Sequence, residues 1–213
     1  MNISHKEIEE MYNFLPKEIR EGIDSFFQQD LDNPEYEYST DDLWIMDQSI
    51  GGVGGYYMPS NPTKNPFSSG EKRSLYRPLQ YARSSIDMCD VRIFARTVIE
   101  NTGMHLEAVC RKLIDERSSL IKKYFPKQTT LGKAVKIIED RGFVDSQIIH
   151  QLYMFVKIYN LSKHEINQDE SRDRMFNAKD AIVSYFTARV IGINLLKLID
   201  CEEAFITYEC ISN

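Results

Sequence analysis

The chain has 213 residues, 42% of them hydrophobic and 27% charged, with a formal net charge of −6. That length suits one domain, or one domain with an extension, and the apolar fraction is enough for a core. No apolar run reaches the roughly 18 residues of a membrane span, and Met1-Asn2-Ile3-Ser4-His5-Lys6 has no apolar signal-peptide core, so a cytoplasmic protein without a membrane partner is expected.

Ser4-His5-Lys6-Glu7 has capping-box spacing, with Ser4 as N-cap and Glu7 three helical positions on. A short helix is predicted to end near Phe14. Pro16 suits the first turn of a second helix, 16–29, whose Ile19, Ile23, Phe26 and Phe27 share a side and dock it, with Leu15, on the main body. Residues 30–80 hold five of the seven prolines and the run Gly51-Gly52-Val53-Gly54-Gly55. They read as an irregular connector, parts of which pack through Trp44, Ile45, Tyr56, Tyr57 and Phe67. The glycine run is a flexible loop: Gly70 is followed by Glu71, so no phosphate-cradling G-x-x-x-x-G-K-[ST] is present.

Ala95, Val98, Ile99, Thr102, Leu106, Val109, Cys110 and Leu113 recur at three- and four-residue steps. They predict one long helix over 80–115, with Gly103 as a weak point or kink. Thr130 caps a helix over 131–141 that Gly142 stops. Asp145 caps the next, which runs to Lys163 on a stripe of Ile148, Ile149, Leu152, Phe155, Val156 and Tyr159. Ser171 caps a last long helix, 172–200, lined by Met175, Ala178, Ile182, Phe186, Val190, Ile193 and Leu196. The tail 204–210 is β-leaning and short. The fold class is therefore all-α: an N-terminal helical pair (1–29), a Gly/Pro-rich connector (30–80) and a helical domain (81–213).

Charge is unevenly spread. Residues 1–48 hold 13 acids against 3 bases, a net −10, whereas 111–136 holds eight bases against two acids, a net +6. The basic stretch, which contains Lys122 and Lys123, is either a solvated helix face or a polyanion contact that the acidic segment covers. The four cysteines form no C-x-x-C pair, so reduced and mostly buried thiols are expected. No H-x-x-x-H or H-E-x-x-H is present and no G-x-S-x-G elbow, so neither metal nor cofactor is expected. His105 reads as a histidine at the core edge, His150 as exposed or interfacial.

The chemistry-bearing cluster is Tyr159-Asn160-Leu161-Ser162-Lys163-His164, at the end of one helix and shortly before another. Asn160 and His164 are four apart and share a helical face. An imidazole there, beside Lys163 and Lys157, suits acid/base work at a phosphodiester, with a lysine steadying the charged intermediate. The same residues also suit a simpler role, closing the helix end by hydrogen bonding.

The order long helix, short helix, helix ending in N-x-x-x-H, long helix resembles the HEPN superfamily over residues 81–200. Many members carry R-N-x-x-x-H at this point, and this chain matches at Asn160 and His164. The resemblance implies an all-α bundle, an RNA target, a homodimer with two motifs meeting across a cleft, and metal-independent endoribonuclease activity. It also implies a bacterial defence or toxin–antitoxin setting with a protein partner. In that chemistry His164 would deprotonate the ribose 2′-OH and Asn160 would orient it. The departure is Tyr159, a candidate substrate contact that stands where the family has arginine and offers no bidentate cation. Lys157, at the permitted spacing, and Lys163 are weaker substitutes. Three functions stay open: an endoribonuclease, a non-catalytic binding or interaction module of the same fold, and a helical oligomerisation protein.

Overall fold

The computed structural model describes residues 3–50, 70–117, 129–164 and 176–200, the side chains of 70–74, 164, 199 and 200 excepted. Among them are eight helices and no β-strand: α1 (Lys6–Phe14), α2 (Lys17–Phe26), α3 (Asp41–Ser49), α4 (Gly70–Asp87), α5 (Val91–Arg117), α6 (Leu131–Asp140), α7 (Ser146–His164) and α8 (Ala178–Asp200). The all-α expectation holds. The glycine run, the β-leaning tail, Lys122, Lys123 and the Ser171 cap lie outside the described residues.

α8 runs through the middle. α5 packs along it, α4 and α6 pack on α5, and α7 closes the bundle against α5, α6 and α1. Ala178–Leu198 is long and apolar enough to cross a membrane by length and composition, yet 89% of it is buried inside the protein. Its apolar surface is spent on neighbouring helices, each fully buried aliphatic side chain contributing about 2 kcal/mol. The N-terminal pair belongs to the same core: Ile8, Met11, Leu15, Ile19, Ile23 and Phe26 are all buried within it.

Capping side chains start α5, α7 and α8. Pro16 precedes α2 as expected. Asp145 Oδ1 accepts the Ile148 amide at 2.9 Å and starts α7. Gly142, at φ +60°, takes the left-handed position after α6 that side chains rarely adopt. Ser4 does not cap α1. Its amide donates to Asp180 Oδ1 at 3.0 Å, and its hydroxyl donates to Oδ2, so the residue ties α1 to α8 instead. α8 begins at Ala178, with Asn177 as the residue before it. Asn177 Oδ1 accepts the amides of Lys179 and Asp180, and Asp180 Oδ2 accepts the Asn177 amide at 2.9 Å, a reciprocal capping box. Thr130 stands at the α6 cap without a side-chain cap bond. Glu107 of α5 reaches across and accepts the Leu131 amide at 3.0 Å.

The predicted helix 80–115 is two helices. Residues 88–90 turn between α4 and α5, and Asp90 caps α5 by accepting the Arg92 amide at 2.9 Å. The Tyr38 hydroxyl braces this corner, donating to the Ile86 carbonyl at 2.8 Å and accepting the Val91 amide at 2.9 Å. The kink in α5 falls at Phe94 (φ −97°, ψ 16°), not at Gly103. The stretch read as irregular also contains α3 and most of α4, which carries Pro78 in its interior.

Candidate functional site

The sequence cluster lies on the last two turns of α7. Lys157 and Asn160, one turn apart, are exposed, and Lys163 is exposed beyond them. His164 ends the helix, and its side chain is outside the described residues. Lys157 is drawn toward α1, its ammonium 3.8 Å from Glu7 Oε1. Lys163 folds back along the helix, with its ammonium 3.7 Å from the centroid of the Tyr159 ring, a cation–π contact.

Tyr159, expected to touch substrate, is only 2% exposed. Its ring lies close against Gly103, where any Cβ would collide with it. This close approach is why α5 needs glycine there. Burial, reinforced by the Glu107 carboxylate, pushes the phenol above its ordinary range, so it stays neutral. Arg111, the guanidinium that α5 contributes near this ring, is committed elsewhere. Its Nε donates to the Thr129 carbonyl at 2.7 Å, and its Nη2 pairs with Glu107 at 2.6 Å. Together with the Glu107–Leu131 bond, this clamp fixes the start of α6.

The end of α7 therefore presents an amide and two ammonium groups, one resting on a buried aromatic ring. Such groups can hold phosphate oxygens but cannot grip one bidentately. The other histidines have different surroundings. His150 is half exposed, its Nε2 2.8 Å from Glu10 Oε2. His105 is completely buried, with Nδ1 2.8 Å from the Leu75 carbonyl, and burial pushes its imidazole down to about 4. Among the described residues, no group of three or more His, Cys, Asp or Glu side chains is placed to hold a metal ion. Cys110 is buried and Cys89 exposed, both free.

A second polar cluster escaped the sequence reading. Arg189 of α8 has no exposed surface, and its Nε donates to Asp47 Oδ1 of α3 at 2.5 Å. The Tyr185 hydroxyl donates to the same oxygen at 3.3 Å. Arg83 of α4 brings Nη1 to 4.0 Å from Asp47 Oδ2 and lies over the Trp44 ring, 4.1 Å from its centroid. The available signal was Arg189 itself, the one charged residue between Asp180 and Lys197 in a largely apolar helix. A charge so placed requires a buried partner.

Comparison with known proteins returns no matching family model, no matching curated protein and no matching solved structure.

Proposed function

We propose that this chain is a HEPN-like, RNA-directed protein that binds RNA at the end of α7 without cutting it, acting as a homodimer. One observation carries the choice of binding over cleavage. Where the family places its arginine, this chain has a tyrosine buried against Gly103. A side chain held there serves packing and delivers no cation to a phosphate. Lys157 and Lys163 supply charge at the surface, and Asn160 supplies hydrogen bonds. That combination gives salt-sensitive attraction to a polyanion but little stabilisation of a transition state.

The test is incubation of the purified protein with mixed RNA in EDTA. The expected result is a retarded complex that dissociates as salt rises, with the RNA intact. Asn160→Ala with Lys163→Ala should weaken it several-fold, and light scattering should give the mass of a dimer. Cleavage that vanishes in His164→Ala would instead establish a metal-independent endoribonuclease. Absence of any complex at low salt would leave a helical oligomerisation protein.

A further inference from the structure

Around the middle of α8, two buried cations share one carboxylate. Arg189 uses only Nε on Asp47, and its Nη1 and Nη2 have no hydrogen-bond partner. Arg83, 8% exposed, leaves its Nε unpartnered as well. Asp47 is 1% exposed, and its Oδ2 accepts no hydrogen bond. Buried guanidinium donors are costly to leave unspent, and a packing role would be met better by an aliphatic side chain. The arrangement has the chemistry of an oxyanion site: two planar forks, a phenol hydroxyl and an aromatic plane behind one fork. A single carboxylate fills it incompletely.

We propose that Arg189 and Arg83 form a binding site for a phosphate group, and that Asp47 occupies the site from within as a displaceable stand-in. A phosphate dianion matches two guanidinium charges where a carboxylate matches one. Its extra oxygens can take up the Nη1 and Nη2 donors that Asp47 leaves idle. The geometry of α3 fits release from one end. The start of the helix is tied to α4 through Thr40 Oγ1, which donates to Asp87 Oδ1 and accepts the Trp44 indole N–H at 3.0 Å. Asp47 stands in the last turn, near the opposite end. Phosphate entry therefore swings the Asp47 end of α3 away from α8 about the Thr40–Asp87 tether. The site is independent of the surface at the end of α7, and neither proposal stands or falls with the other.

Trp44 is the chain's single tryptophan and sits 7% exposed in this helix, so its emission reports the movement. The full-length protein is titrated with inorganic phosphate at constant ionic strength, chloride making up the balance. The expected result is a saturable red shift of Trp44 emission. Isothermal titration of Asp47→Asn, which keeps the shape but removes the competing charge, should show phosphate binding at least tenfold tighter. Arg189→Lys should abolish the response. If that variant does not fold, the comparison of wild type with Asp47→Asn decides alone. A response to glycerol 3-phosphate as well as inorganic phosphate assigns a phosphomonoester, and a response to inorganic phosphate alone assigns the free ion. An equal response to acetate, equal affinity in wild type and Asp47→Asn, or no saturable response in either would overturn the proposal.

Discussion

Tyr159 is wedged between the Gly103 backbone and the Lys163 ammonium. An arginine there, as the HEPN motif has it, would place a guanidinium in a position 2% exposed, against a helix backbone. Tyr159→Arg is expected to lose on the order of 3 kcal/mol of stability and to gain no RNA cleavage. A variant as stable as wild type that cuts RNA would show the position to be open after all; urea denaturation and an RNA digest together decide it. His105 makes a second prediction. Burial holds its imidazole at about 4 in the fold, against an ordinary value of 6.5. Between those pH values the unfolded chain takes up a proton that the folded chain refuses. Stability is therefore full above pH 6.5 and declines as pH falls toward 4, by about 3 kcal/mol across that window. His105→Gln should flatten the decline relative to wild type in urea melts at pH 7 and 4.5; parallel slopes would contradict it. Both residues were partly legible. Tyr159 falls on the apolar stripe of its helix, and His105 follows the stripe of α5. What the sequence could not display was depth: His105 is wholly buried because Gly192 of α8 allows its ring to approach.

At the scale of elements, helices with clean periodicity were readable within a residue or two, as α6 and α7 show, and α2 at its start. α4 was not. Its Leu75, Leu79, Ala82 and Ile86 do recur at helical steps and are all buried, but Pro78 interrupts them, and proline ordinarily ends a helix. Packing along α5 overrides that preference, so a tertiary contact decides what local propensity opposes. Pro78 is half-buried within an 18-residue helix. Pro78→Ala restores an amide and removes the ring, and should stabilise the protein by about 1–3 kcal/mol in thermal melts. A loss of stability would mean that the ring is itself a packing element. Ser4 failed for the complementary reason. A cap motif read from spacing alone cannot know that a distant carboxylate, here Asp180, competes for the serine.

At the scale of the whole molecule, the asymmetry between a −10 segment at 1–48 and a basic remainder acquires a location. Glu7 reaches Lys157, Glu10 reaches His150, and Asp24 holds the Lys179 ammonium at 3.0 Å. The acidic helices thus lie over α7 and α8. Within the basic stretch, Arg111 and Lys112 pair with Glu107 and Glu116 of their own helix. Deleting the segment would not isolate its electrostatic effect, because Ile8, Met11, Ile23 and Leu43 would leave the core with it, all of them without exposed surface. Neutralising Glu7 and Glu10 in place separates charge from packing. Both contacts are at the surface, where ion pairs contribute little to stability, so Glu7→Gln with Glu10→Gln should leave the melting temperature nearly unchanged. Freed Lys157 and a less negative flank should then raise RNA affinity several-fold at low salt and steepen its salt dependence. Unchanged affinity across a salt series would mean that the acidic helices only pack, and that the α7 surface is not screened by them.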